Sequence, residues 1–201
     1  MDLNLVSVNG RMEHLHRLDD GVWGLLRRAG LREVFIGFES GYQPSLDAMG
    51  KGASVDHILI CTRSCARHDI DLRGSFMVGI PGMETATEIA WTFEMMNRMI
   101  TVFHEESDLA KLDFLRSFFV PYPGTPLYRS CIEMGFPPLD SLEEWGDLDQ
   151  FDFHTPWVSD ACYELTKEFR EKLPCNSGMS YDEWGEYYQN AVRPRLGCID
   201  Q

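Results

Sequence analysis

Three segments of the chain place polar or glycine residues directly after an apolar run. They are EVFIGFES at 33–40, GSFMVGIPG at 74–82 and FFVPYPGTPLY at 118–128. Each apolar run is long enough for a buried parallel strand and stops before a helical pattern begins. Polar and glycine-containing segments at the carboxyl ends of parallel strands are where α/β folds bind ligands. These residue types and positions therefore predict the binding of a small molecule along one rim of a sheet.

The elements that must position these segments alternate between strands and helices. Strands are predicted at about 3–8, 34–38, 72–78 and 112–120, with helices at about 20–29, from 54, from 85 and at 126–134. Ser54 has the character of a helix N-cap, and Thr85 and Glu88 have the spacing of a capping box. Four strands separated by helices, all connected in the same way, predict successive βα units of a parallel sheet or barrel.

The pattern changes from about residue 136 onward. Trp145, Trp157 and Trp184 lie among acidic residues and turn formers, with helices predicted near 159–173 and 180–192. We interpret the tryptophans as packing residues. The sequence therefore predicts a βα core, either a parallel sheet or a barrel, over 1–135 and a C-terminal helical cap over 136–201 that packs on this core.

Composition excludes several classes of partner. The 32 acidic and 18 basic residues give a net charge of −14, whereas a nucleic-acid surface needs clustered Lys and Arg. No run of about 18 apolar residues is present, so we expect no membrane span. The six cysteines are spread through a chain without a recognisable secretion signal. That pattern predicts reduced thiols in a cytoplasmic protein.

The combination of IGFESG at 36–41, Lys51, FMVGIPGMET at 76–85 and PYPGTPLY at 121–128 resembles the C-terminal half of a radical S-adenosylmethionine (SAM) barrel. The likeness covers about residues 1–150 and indicates the group whose members often carry an N-terminal cobalamin-binding domain. It implies that the chain holds about four βα units of a six-unit (β/α) barrel. It also implies reductive cleavage of SAM to a 5′-deoxyadenosyl radical by a [4Fe–4S] cluster, acting on a small-molecule substrate.

The same resemblance assigns SAM contacts to particular residues of this chain. Glu39 matches the residue that hydrogen-bonds the ribose hydroxyls, since a carboxylate can accept from two neighbouring hydroxyls. Lys51 matches a basic residue that pairs with the methionine carboxylate. Arg11 is a further candidate for a polar contact to SAM or substrate. The full set of implied cofactor-binding residues is Glu39, Ser40, Lys51, Ser75, Gly79, Ile80, Pro81, Val120 and Pro121. Of these, Ser75 would lie near the ribose, and 79–81 with 120–121 would enclose the adenine, where glycine lets the backbone approach closely.

One part of the family pattern is missing from the chain. The family holds its cluster through CxxxCxxC after the first barrel strand, and no such motif occurs in the sequence. The resemblance therefore implies cluster ligands, and any cobalamin domain, in a missing N-terminal half of the barrel or before it. Cys61, Cys65 and His68 imitate the spacing and share one face of a predicted helix, which makes a metal site geometrically conceivable. Because that face continues an apolar pattern, we predict core packing instead.

Other polar groups have simpler interpretations. His14 and His16 would lie on one side of an extended strand, as in some metal sites, but no third ligand is identifiable and we predict two solvent-facing histidines. Glu105 and Glu106 belong to an acidic cluster that predicts a solvated loop. Glu39 is open to a second interpretation as a turn carboxylate. No G-x-S-x-G, Walker or dinucleotide motif supports a hydrolase, nucleoside-triphosphate or Rossmann function.

Two hypotheses follow from the sequence. The first is the SAM-binding portion of a radical SAM enzyme, in which the isolated chain is inactive because its cluster motif is missing. The second is a non-catalytic βα binding or interaction module derived from such an enzyme. The second hypothesis expects a partner to cover the strand edges that a half barrel leaves unpaired.

Overall fold

Four parallel strands form the centre of the fold. The computed structural model describes residues 6–197. The strands are β1 (Ser7–Gly10), β2 (Glu33–Glu39), β3 (Asp71–Val78) and β4 (Leu112–Phe118), and they lie in that order in one sheet. Each strand pairs in parallel with the next one along the chain. The carboxyl ends of all four strands therefore meet at one rim.

Helices connect each strand to the next. They are α1 (Met12–Leu15) and α2 (Asp20–Arg28) before β2, α3 (Gln43–Ala48) and α4 (Val55–Arg67) before β3, and α5 (Thr85–Glu106) before β4. Ser54 caps α4 as predicted, with its side chain accepting from the Asp56 backbone N–H. The alternation confirms the predicted partial β/α barrel. The short helices α1 and α3 were not predicted, because four to six residues are too few for a helical period to show.

The chain after β4 is largely helical. It contains α6 (Tyr128–Glu133), α7 (Leu142–Gly146), α8 (Asp160–Lys172), α9 (Pro174–Ser177), α10 (Tyr181–Tyr187), a π-helical turn (Tyr188–Val192) and α11 (Arg193–Leu196). Phe169 of α8 stacks on Phe93 of α5 with ring centroids 3.8 Å apart. Trp184 of α10 is buried and donates from Nε1 to Asn97 Oδ1 of α5 at 3.0 Å. These contacts pack the C-terminal helices on the βα core, while the boundary at 135 stays a prediction.

The two faces of the sheet differ in character. Alternate residues such as Val34, Ile36 and Phe76 are buried against the helices. The opposite side, which we call the inner face, carries the residues at odd positions of β2, β3 and β4. These include the partly exposed Gly37 and Ser75, which are register partners in adjacent strands. None of the described helices has the length and apolar character needed to cross a bilayer.

Some strand bounds differ from the prediction. β4 ends at Phe118 instead of 120, and β1 runs to Gly10 instead of 8. The predicted first strand began at 3, and residues 1–5 lie outside the described part of the chain. β2 is longer than predicted by a charged residue at each end, Glu33 and Glu39, and β3 is longer by Asp71 at its start, where the apolar pattern gives no signal.

Candidate functional site

β2 ends in a left-handed backbone conformation at Glu39. Its φ is +70°, and Asp69, with φ +51°, is the one other non-glycine residue with positive φ between 6 and 197. The register between β2 and β3 shifts between Gly37 and Glu39, so that Glu39 pairs with Phe76. A left-handed residue with a Cβ costs about 1–2 kcal/mol. Strain of this kind clusters at ligand sites, which makes the end of β2 a candidate site.

The turn at Glu39 directs its carboxylate onto the inner face. A Cβ built on Gly37 would lie 2.6 Å from Glu39 Oε1, so the carboxylate occupies the space that this glycine leaves open. Gly37 is the register partner of Ser75 in β3. Lys51 donates from Nζ to Glu39 Oε1 at 2.7 Å. Three residues that the sequence singled out, Glu39, Lys51 and Ser75, therefore lie at the same end of the inner face.

The Glu39–Lys51 pair is accessible to a ligand. The Lys51 side chain is 31% exposed and that of Glu39 is 14% exposed. Two glycines with positive φ, Gly50 and Gly52, flank Lys51 in the loop after α3. An ammonium group has three N–H donors, and Glu39 takes one of them. The pair can therefore offer a carboxylate acceptor and cationic donors to the same small molecule.

A cavity of about 280 Å³ lies at the ends of β3 and β4. Its walls are mostly apolar and include Met49, Met77 and Val120, while Ser117 and Gln150 supply polar atoms. Met77 follows Phe76, the register partner of Glu39, so the cavity and the Glu39–Lys51 pair share one rim. An apolar cavity with a few polar atoms is typical of small-molecule sites. Val120 lines this cavity, and its contact with a ligand stays a prediction.

The turn after β3 is enclosed by the protein itself. The Gly79 N–H donates to Glu88 Oε2 at 2.9 Å, and its carbonyl accepts from Trp157 Nε1 at 2.8 Å. Gly79 has φ +80°, and a Cβ built there would lie 2.8 Å from Val158 Cγ2. The missing side chain was expected to let a ligand approach, but in the structure Val158 occupies that space. Ile80, Pro81 and Pro121 are likewise buried.

Ile80 supports the cavity from behind. It is fully buried in a cluster with Phe119, and the partly buried Met49 and Met77 pack on that cluster. Met49, Met77 and Phe119 also line the cavity. Ile80 therefore helps to hold the cavity wall in place without lining the cavity itself.

Ser40 lies against α5 and not on the inner face. Its side chain is fully buried and donates from Oγ to Glu88 Oε1 at 3.3 Å, with Thr92 Oγ1 3.1 Å away. The next residue, Gly41, donates its N–H to Thr92 Oγ1 at 3.1 Å. Among the predicted cofactor-binding residues, Ser40 is therefore placed to support the turn instead of contacting a ligand.

Sequence reasoning missed the role of Glu88 because it assigned this residue to a capping box with Thr85. That assignment is wrong: Glu84 caps α5 by accepting from the Ala86 and Thr87 N–H groups. Glu88 is fully buried, and burial raises its pKa to about 8, although the bonds from Gly79 and Ser40 act in the opposite direction. Glu88 is next to Ile89, on the face of α5 that carries the apolar residues. An acidic residue in this position was the sequence signal that could have indicated its buried role.

The predicted core packing of Cys61 and Cys65 is confirmed. Both side chains have 0% exposure within the hydrophobic core, and burial raises the pKa of the Cys61 thiol to about 12. His68 Nδ1 lies 2.8 Å from the Ser64 carbonyl oxygen. Across residues 6–197, no group of three His, Cys, Asp or Glu side chains could hold a metal ion. Arg11 is exposed and forms an ion pair with Glu13.

The predictions for the histidines and the acidic cluster need correction. His14 is exposed as predicted, but it lies on α1 instead of an extended strand. His16 stacks on His57 with ring centroids 3.6 Å apart, so it does not simply face solvent. Glu106 is the last residue of α5 and forms ion pairs with Arg63 and Arg67, at 3.1 and 2.9 Å. A contact between residues far apart in sequence gives no local signal.

Comparison with known proteins gives one relative and one structural neighbour of interest. No protein-family model matches the chain. The curated protein named uncharacterised methyltransferase PH0819, from Pyrococcus horikoshii, is 25% identical over 107 residues, which are 53% of this chain and 21% of that protein. The structure of the cobalamin-dependent SAM radical enzyme OxsB, with aqua-cobalamin and SAM bound, matches with a TM-score of 0.57 and 13% identity. That match covers 97% of this chain and 34% of OxsB.

The fold of this chain is similar to part of a cobalamin-dependent radical SAM enzyme. The likeness agrees with the partial β/α barrel predicted from the sequence. The chain spans about a fifth of the curated relative and about a third of the structural neighbour. Both of these proteins are named as enzymes.

Proposed function

We propose that this chain is the SAM-binding portion of a radical SAM enzyme that generates a 5′-deoxyadenosyl radical with a [4Fe–4S] cluster. The observation that carries the proposal is the strained Glu39, whose carboxylate lies on the inner face and pairs with Lys51 beside an apolar cavity. The fold likeness to OxsB and the local likeness to a methyltransferase support it. A small-molecule substrate and a cytoplasmic location remain part of the same proposal.

The residues of the rim fit SAM in their chemistry. Glu39 would accept from the ribose hydroxyls, with Ser75 nearby, and Lys51 would turn a second N–H toward the methionine carboxylate. The cavity wall that includes Met77 and Val120 would enclose the adenine. The buried residues Gly79, Ile80, Pro81 and Pro121 would shape that wall, and Ser40 would hold the turn after Glu39. When bound, SAM would supply the 5′-deoxyadenosyl group, and the chain's own residues would bind and orient it.

The described residues do not fit an iron–sulfur cluster. They contain no group of three potential metal ligands, and the thiols of Cys61 and Cys65 are buried with raised pKa values. Because thiolates are the cluster ligands, we place the CxxxCxxC motif and any cobalamin site in polypeptide outside this chain. No step of the reaction is therefore assigned to a cluster-binding residue here.

A non-catalytic binding module derived from such an enzyme is the second candidate. It is favoured by the lack of a fitting cluster site between 6 and 197 and by exposed apolar residues on β4 and beside β1. These are Leu115, 37% exposed on the inner face, and Val6, 64% exposed. In this case the rim would still bind a ligand, and a partner would cover the open face.

Calorimetric titration with SAM tests the proposed binding. We expect the folded chain to bind SAM and Lys51→Met to weaken binding about tenfold, as for the loss of one charge-assisted bond. Lys111→Met is the matched control, because Lys111 is exposed just before β4, at the opposite end of the strands. A folded chain that binds no SAM would contradict the proposal. Anaerobic reconstitution of a parent protein carrying CxxxCxxC, with assay of 5′-deoxyadenosine, then separates the enzyme from the binding module.

A further inference from the structure

One buried side chain joins the two turns that form the rim. Glu88 accepts from the Ser40 hydroxyl on Oε1 at 3.3 Å and from the Gly79 N–H on Oε2 at 2.9 Å. Ser40 is 48 positions away along the chain and Gly79 is nine positions away. Glu88 therefore connects the end of β2 to the end of β3 through its two carboxyl oxygens.

Thr92, one helical turn later on α5, extends this connection. Its Oγ1 lies 3.1 Å from Ser40 Oγ and accepts from the Gly41 N–H at 3.1 Å. Ser40, Glu88 and Thr92 all have 0% exposure. The groups that bond this carboxyl are uncharged: the Ser40 hydroxyl, the Gly79 N–H and Thr92 of its own helix. A buried network of this kind fixes the atoms it joins, because an unmet bond inside the protein is unfavourable.

The residues held by the network are direct neighbours of the candidate ligand contacts. Glu39 immediately precedes Ser40, and Ile80 immediately follows Gly79. Ile80 packs against the residues that form the cavity wall. We propose that Glu88 is a positioning residue, which sets the distance between the Glu39–Lys51 pair and the cavity wall and thereby sets ligand affinity at the rim. The proposal rests on the proposed function only in taking SAM as the ligand.

A change in the protonation state of Glu88 offers a direct test of the connection between the two turns. The ionised form has two acceptor oxygens facing two donors, whereas the protonated form carries a hydrogen that the hydroxyl oxygen of Ser40 or Thr92 must accept. Burial raises the pKa of Glu88 to about 8. Titration near neutral pH should therefore move the backbone amides of both Gly79 and Gly41.

The first experiment is an NMR titration of the full chain from pH 6 to 10, which follows the Gly79 and Gly41 amide signals without any ligand. We expect both amides to shift with one shared midpoint and Glu88→Gln to abolish both shifts. Ser40→Ala removes the direct bond from Glu88 to β2, so Gly79 should keep its titration while the Gly41 shift becomes smaller, with Thr92 as the remaining connection. Separate midpoints, or titrations that persist in Glu88→Gln, would overturn the proposal.

The second experiment measures SAM affinity in the same variants. At pH 9, where Glu88 is ionised, Glu88→Gln should raise the dissociation constant about tenfold, the size expected for one lost bond to a charged group. Glu94→Gln is the matched control: Glu94 is also on α5, and its Oε2 accepts from Tyr188 at 2.6 Å away from the rim. It should leave SAM affinity and both amide titrations unchanged. Equal affinity in wild type and Glu88→Gln would overturn the positioning role.

The two experiments separate the two proposals. If wild type binds no SAM, the proposed ligand is wrong, and the shared amide titration alone decides whether Glu88 connects the turns. If SAM binds but the amides titrate separately, the proposed ligand stands and the connection is wrong.

Discussion

Lys51 Nζ lies 2.7 Å from Glu39 Oε1, and the same oxygen lies where a side chain on Gly37 would stand. The pair is partly exposed, so its net contribution to stability is small, about 0–1 kcal/mol. The left-handed backbone at Glu39 costs more than that, about 1–2 kcal/mol. Stability alone therefore does not account for a glutamate at this position, which favours a role in binding.

Gly37→Ala should displace the Glu39 carboxylate, because the new Cβ would lie 2.6 Å from Oε1. We expect SAM affinity to fall at least about tenfold, whereas the free energy of unfolding should fall by no more than about 1 kcal/mol, the contribution of the Glu39–Lys51 pair, because the end of the Glu39 side chain can move aside. Calorimetry and urea denaturation measure the two effects. In Gly37→Ala/Glu39→Ala the stability loss should be less than additive, since the clash partner is gone.

Gly74→Ala is the control on the opposite face of the sheet. Its Cβ would lie 3.0 Å from Phe38 Cδ2 in the core. This variant should lose stability and keep its affinity for SAM. Equal loss of affinity in both variants would show that binding depends on the sheet as a whole and not on the Glu39 carboxylate.

Glu39→Gly should be more stable than Glu39→Ala by about 1 kcal/mol, because only glycine adopts φ near +70° without strain. Both variants lose the ion pair with Lys51, so the contribution of that pair to the free energy of unfolding cancels when the two are compared. Both should lose SAM binding. Urea denaturation and calorimetry check this, and an alanine variant as stable as the glycine variant would argue against strain at the end of β2.

The free energy of unfolding should fall as the pH rises from about 4.5 toward 8, through the contribution of Glu88. The pKa of this buried acid is raised from 4.5 to about 8 in the folded protein. Over that window the folded state binds the extra proton, so raising the pH favours unfolding, by up to about 1.4 kcal/mol per pH unit. Urea denaturation of wild type and Glu88→Gln across this range gives the difference. Parallel profiles of the two proteins would contradict the raised pKa.

Gly79→Ala should destabilise the protein by about 2–3 kcal/mol, since φ is +80° and the new Cβ would meet Val158 Cγ2 at 2.8 Å. Val158→Ala removes the clash partner but not the backbone strain. In the double variant Gly79→Ala/Val158→Ala, we expect the protein to recover only the stability that was lost to the clash. A double-mutant cycle measures this recovery as a coupling energy. A coupling energy of zero would mean that Val158 does not close over this turn.

The strands and main helices were predictable because their signals are local. Apolar runs define β2 and β3, and the side chain of Ser54 marks the start of α4. The placement of Glu39 at a strand end followed in the same way. These features need only neighbouring residues, which the sequence displays directly.

The connections across the rim were not predictable, because they join residues far apart in the chain. Ser40 meets Glu88 over 48 positions, and Trp157 meets Gly79 over 78. The spacing of Thr85 and Glu88 matched a capping box, but the buried donors at Ser40 and Gly79 took the Glu88 carboxylate instead. Tertiary hydrogen bonding therefore overrode a local motif at the site.

The bond from Trp157 to Gly79 also has a consequence for synthesis of the protein. The two residues are 78 positions apart, and chains grow at about 5–20 residues per second, so Gly79 is added roughly 4–16 s before Trp157. During that interval the Gly79 carbonyl has no indole to bind, and the space over the glycine is not yet filled by Val158. The nascent chain therefore completes this part of the candidate ligand-binding rim only once Trp157 and Val158, which lie between α7 and α8, have been synthesised.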